Sequence, residues 1–117
     1  EAVRLDMATL IGAYTPTEVE YAYRLGADIV KVFPAGCAGP AYIKALRGPL
    51  SHIPLAAVGG VSSENIASFL QAGCVCAGVG GKLADRKKIA AGDFASVTEE
   101  ARRLTRVCAE FLESNRQ

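Results

Sequence analysis

Ile29-Val30-Lys31-Val32-Phe33-Pro34 is the stretch on which the fold turns. Apart from its lysine the run is β-branched or aromatic and too short for a helix. It therefore reads as a strand, Ile29–Phe33, which Pro34 stops because proline cannot donate to a sheet ladder. Upstream, Thr15-Pro16-Thr17-Glu18 supplies an N-cap hydroxyl, a proline at the first helical position and a capping-box glutamate. A helix is predicted from there to about Leu25, closed by Gly26, with a first strand before it near Thr9–Ala13. Downstream, Tyr42–Leu46 belongs to a second helix, and Leu55–Val58 is a third strand stopped by Gly59-Gly60. Ser62 or Ser63 caps the next helix, which carries Ile66, Phe69 and Leu70 and closes at Gly73. Cys74–Val79 is the fourth strand, ended by Gly80-Gly81. A short basic segment, Asp85–Ala90, leads to a last helix beginning near Asp93 or Ser96. Its Val97, Ala101, Leu104, Val107, Cys108, Phe111 and Leu112 fall at helical spacing and predict one buried stripe. Short apolar strands alternating with amphipathic helices make βα units around a parallel sheet.

The chain has 117 residues, whereas a complete (βα)₈ barrel needs at least about 200. A barrel reading is therefore bounded to a part, four βα units in one structural unit. Four parallel strands alone leave two unpaired edges and a bare inner face, a poor arrangement for β-branched strands, so something else is expected to complete the sheet. Glu1-Ala2-Val3-Arg4-Leu5 agrees with this, since it reads as the uncapped tail of an amphipathic helix and the chain is expected to start mid-fold. Half the residues are hydrophobic and 21% are charged, the profile of a globular α/β chain and not of a disordered one. A net charge of +1 gives no field to attract nucleic acid or an anionic membrane. The apolar runs are too short to span a bilayer, and no secretory pattern opens the chain, so a cytoplasmic location is expected.

Lys31 is the sharpest chemical signal. In a strand buried on both faces, desolvation pushes a lysine pKa down and makes a neutral amine nucleophile, as Schiff-base chemistry requires. The alternative is a sheet-edge lysine that snorkels its ammonium to water. Gly59-Gly60 and Gly80-Gly81 follow successive strands and offer bare amides, either as turn punctuation or as an anion cradle. Cys37, Cys74, Cys76 and Cys108 lack zinc spacing and a secreted context and read as free thiols, with Cys74 and Cys76 on one face of their strand. Glu18 is explained by its capping box, Glu64 by the dipole of a first helical turn, and His52 by a surface loop at the end of the sheet opposite the glycine pairs.

Val30-Lys31-Val32-Phe33-Pro34-Ala35 resembles the lysine strand of the 2-keto-3-deoxy-6-phosphogluconate and 4-hydroxy-2-oxoglutarate aldolases. Thr15-Pro16-Thr17-Glu18, Gly39-Pro40-Ala41-Tyr42-Ile43-Lys44-Ala45-Leu46, Gly48-Pro49, Gly59-Gly60-Val61 and Asn65 are similar to that family's pattern in matching order. The resemblance implies the C-terminal half of a class I aldolase (βα)₈ TIM barrel over residues 1–117. It implies that Lys31 is the Schiff-base lysine, that Phe33 and Pro34 shape its pocket, and that Gly59, Gly60, Gly80 and Gly81 hold substrate and phosphate. The implied reaction cleaves a phosphorylated 2-keto-3-deoxy acid to pyruvate and an aldehyde such as glyceraldehyde 3-phosphate, as in the Entner–Doudoroff pathway; the alternative is a non-catalytic phosphate-binding or structural half-barrel fragment that needs a partner chain. No metal or organic cofactor is implied, and the implied assembly is a homo-oligomer, a trimer. Two departures bear on the substrate. Ala57-Val58 stands where the family commonly has Pro-Thr, and Gly80-Gly81-Lys82 where it commonly has Gly-Ser-Trp. The family's catalytic glutamate and a substrate-binding arginine lie on an early strand, and no residue here corresponds to them.

Overall fold

The computed structural model describes residues 1–115. After a 3₁₀ turn at Val3–Leu5, strands and helices alternate as β1 (Leu10–Ala13), α1 (Pro16–Arg24), β2 (Ile29–Val32), α2 (Ala35–Arg47), β3 (Leu55–Val58), α3 (Ile66–Gln71) and β4 (Cys76–Gly78). Two helices, α4 (Arg86–Ala90) and α5 (Phe94–Ser114), follow. The strands form one four-stranded parallel sheet in the order β1-β2-β3-β4. Each strand thus lies beside its sequence neighbour, with no reversal of direction across the sheet. This order is compatible with a barrel segment and lacks the strand-order reversal of a doubly wound sheet.

The register separates the two faces. Ala13, Val32, Ala57 and Ala77 form one cross-strand row, and Gly12, Lys31, Ala56 and Cys76 form the next. Successive side chains on a strand point to opposite faces, so the two rows belong to different sides. Val30, Val32, Leu55 and Ala57 are buried with Val19 of α1, Ile43 and Leu46 of α2, Phe69 of α3 and Leu104 of α5. Helices α1, α2, α3 and α5 therefore lie on one face, and Lys31 stands on the other. Leu10 and Phe33, 49% and 52% exposed, remain uncovered.

Local chemistry sets the helix boundaries. The Thr15 hydroxyl accepts from the Glu18 amide while the Glu18 carboxylate accepts from the Thr15 amide at 2.8 Å, a complete capping box with Pro16 behind it. Asp85 caps α4 through the Lys87 and Lys88 amides, and Asp93 caps α5 through Ser96.

Several boundaries differ from the sequence reading. The second helix begins at Ala35, because Gly39, at φ 77°, breaks it into two pieces and Pro40 opens the second. Ser62 does not cap α3. Its amide donates to Asn65 Oδ1 and its hydroxyl accepts from Glu64, forming a turn that delays the helix to Ile66 and leaves Glu64 outside it. The fourth strand shortens to Cys76–Gly78, with Cys74 buried ahead of it. Burial raises the Cys74 thiol pKa to about 11, so it stays protonated. Glu1–Leu5 holds a single 3₁₀ turn rather than the end of an α-helix. Leu112 is 58% exposed, because the apolar stripe of α5 outruns the helices α3 and α4 it packs on.

Candidate active site

Parallel strands bring their C-terminal ends to one edge, where the side chains and loops that follow them meet. Gly12 is the β1 partner of Lys31, and a methyl group there would stand 3.2 Å from Lys31 Cε. The missing side chain makes the room in which the lysine lies. Lys31 Nζ sits 5.6 Å from the centroid of the Phe33 ring, and among the described residues it takes part in no ion pair. The side chain is half-buried, so neither the doubly buried lysine nor the edge lysine of the sequence reading describes it fully. It occupies an inner strand and a sheet face left open.

Beyond Phe33 a cavity of about 520 Å³ opens at the ends of β3 and β4. Phe33, Val58, Gly59, Gly60, Val61, Gly80, Gly81, Lys82 and Asp85 line it. Gly59 and Gly60 take φ of 89° and 76°, which side-chain-bearing residues rarely adopt. A Cβ on Gly59 would also lie 2.8 Å from the Phe33 ring, and one on Gly60 3.0 Å from Gly36 Cα. The Gly36 amide donates to Gly59 O at 2.7 Å, and Asn65 Nδ2 donates to Gly60 O at 3.0 Å. These contacts hold the carbonyls away and fix the loop. On the other side, Leu83 and Ala84 donate to Gly80 O. Among the described residues the Gly59, Gly60, Gly80, Gly81 and Lys82 amides donate to no protein acceptor. A run of free amides around a concavity suits an anion with several oxygens.

The residues singled out from sequence thus converge in part. Phe33 and the four glycines share the cavity, and Lys31 lies next to it across the Phe33 ring without entering its lining. Pro34 stands behind Gly59, its Cα 3.2 Å from where a Cβ on that glycine would be. Sequence reasoning passed over Gly12 and Gly36, whose roles depend on cross-strand register and a close backbone approach that spacing does not encode. It also missed Asp85 as a lining residue, although its place as a helix cap was a usable signal.

Glu18 and His52, also singled out from sequence, lie away from the cavity. Glu18 accepts from the Thr15 and Tyr14 amides, which hold its carboxyl below the usual range. His52 lies 3.7 Å from Glu20 and edge-on to Tyr23, in the loop leading into β3 and so at the N-terminal end of the sheet. It takes no part in the cavity.

Residues 1–100 match the KDPG and KHG aldolase family. The chain is 46% identical over 83 residues to 2-dehydro-3-deoxy-6-phosphogalactonate aldolase of Escherichia coli, covering 70% of this chain and 40% of that protein. It is 32% identical over 117 residues to 2-dehydro-3-deoxy-phosphogluconate aldolase of Pseudomonas aeruginosa, covering 99% and 51%. A solved structure described as native KDPGal superimposes with a TM-score of 0.85 at 35% identity, over 96% of this chain and 53% of its own. The chain spans about half the length, or less, of these relatives. On this match, over most of its length, the chain belongs to the KDPG and KHG aldolase family.

Proposed function

We propose that the chain is the C-terminal four βα units of a class I aldolase (βα)₈ barrel, and that Lys31 forms a Schiff base with a phosphorylated 2-keto-3-deoxy acid. The observation that carries this is an amine that, among the described residues, has no ion-pair partner on the open sheet face, beside a cavity whose glycyl amides donate to no described acceptor. The relatives' names, both of phosphorylated 2-dehydro-3-deoxy acids, support the substrate class.

In the reaction the Lys31 amine attacks the C2 ketone, and loss of water gives a protonated imine. A base removes the C4 hydroxyl proton, the C3–C4 bond breaks, and its electron pair flows into the iminium to give an enamine. The aldehyde departs carrying the phosphate. Protonation at C3 and addition of water release pyruvate and restore the amine. The iminium formed on Lys31 is the electron sink, the Phe33 ring walls its side chain, and the amides around the cavity take the phosphate. The proton-moving group comes from the half barrel that completes the sheet. No step needs a metal or organic cofactor. Closed barrels of this kind would work in the cytoplasm as the trimer that the resemblance implies.

Borohydride reduction in the presence of pyruvate tests the assignment, because reduction makes the imine adduct permanent. Lys31→Ala and Lys31→Arg are expected to abolish the adduct, since neither side chain offers a neutral primary amine. Undiminished trapping in either variant would remove Lys31 from the mechanism.

A further inference from the structure

Among the residues lining the 520 Å³ cavity, Lys82 supplies the single side-chain hydrogen-bond donor; the others are glycine, valine, phenylalanine and one aspartate. Its ammonium has no partner in an ion pair among the described residues. The neighbouring acids do not all need it. Asp85 Oδ1 accepts from the Lys87 and Lys88 amides at 2.8 and 3.1 Å. Glu100, which shares a second, smaller cavity with Lys82, lies 3.7 Å from Arg103. Glu64 lines that second cavity too and is exposed. A cradle of amides alone binds an anion through dipoles and discriminates weakly between a charged and an uncharged oxygen-rich group. A cation at its rim adds the charge-assisted interaction that discriminates.

We infer that Lys82 is the specificity-determining residue that makes this cavity select a phosphate dianion over an uncharged hydroxyl terminus of the keto acid. The inference rests on the proposed function for the meaning of the phosphate, but its test does not need turnover.

Inorganic phosphate serves as the probe, titrated at constant ionic strength into the ¹⁵N-labelled chain while the Gly59, Gly60, Gly80 and Gly81 amide resonances are followed. Lys82→Ala is expected to weaken phosphate binding by roughly three- to tenfold, the range of one partly solvated charge-assisted contact, and Lys82→Arg to retain it. Equal affinity in Lys82→Ala, or amides that do not respond in the unsubstituted chain, overturns the assignment. Borohydride trapping with pyruvate on the unsubstituted chain completed by an N-terminal half barrel separates the two ideas. Phosphate binding that depends on Lys82 while trapping fails keeps the anion site and discards the Schiff base. Trapping with binding indifferent to Lys82 does the reverse.

Discussion

Lys31 and Gly59 show how single residues shape the candidate site. The lysine needs an empty position opposite it, which Gly12 provides, and the cavity beside it needs a loop that turns back against Phe33, which Gly59 provides at φ 89°. Gly59→Ala puts a methyl group 2.8 Å from the Phe33 ring and forces a left-handed conformation on a side-chain-bearing residue. It is expected to cost about 1–3 kcal/mol, read as a lowered urea midpoint at unchanged slope. Gly81→Ala, where a Cβ meets nothing within 4 Å, is the control and should stay within about 0.5 kcal/mol. Similar losses at the two glycines would mean that the Phe33 contact does not constrain the loop.

At the scale of elements, three carboxylates tie segment ends together and all titrate below their ordinary values. Glu18 accepts from Thr15 and Tyr14 at the start of α1, Asp28 from the Thr9 amide and hydroxyl ahead of β1, and Asp93 from Ser96 at the start of α5. A carboxylate with a lowered folded pKa stabilises the fold above its unfolded value, and that stability is lost as pH falls through the folded one. The ordinary values are 4.5 for Glu18 and 3.8 for Asp28 and Asp93, so the loss should begin near pH 4.5 and deepen below pH 3.8. Glu18→Gln with Asp28→Asn should flatten the fall of the thermal midpoint across that range; an unchanged slope would contradict this. The capping box at α1 was legible in sequence because its four residues are contiguous and each has a fixed role. The start of α2 was not, because it depends on a left-handed Gly39 between two helical pieces. Nor was the Ser62–Asn65 turn, where four polar residues compete for the same amides. The strand positions of β2 and β3 and the glycine pairs were readable from apolar runs and their stops. The placement of Lys31 opposite Gly12 was not, since register is decided by pairing across the sheet.

For the whole molecule, the Cα radius of gyration of 15.5 Å exceeds the roughly 13.4 Å of a compact chain of this length. Among the described residues β1 and β4 each lack a neighbour on their outer side, and Leu10 and Ile11 on β1 are 49% and 45% exposed. Such edges pair with whatever completes them, so the chain alone is expected to associate, with a solution mass above the 12.2 kDa of one copy. A monomer by light scattering would show that the edges are protected. General acid–base catalysis is worth about 10² to 10⁴ in rate, and Lys31 has no carboxylate paired with it among the described residues. The most direct measurement is therefore a coupled assay for pyruvate release from 2-keto-3-deoxy-6-phosphogluconate, run on the chain alone and after an N-terminal half barrel of a family member is supplied. Negligible release by the chain alone, with turnover restored by the added half and lost in Lys31→Arg, is the outcome expected of half a Schiff-base aldolase barrel. Robust turnover by a monomeric chain on its own would contradict it.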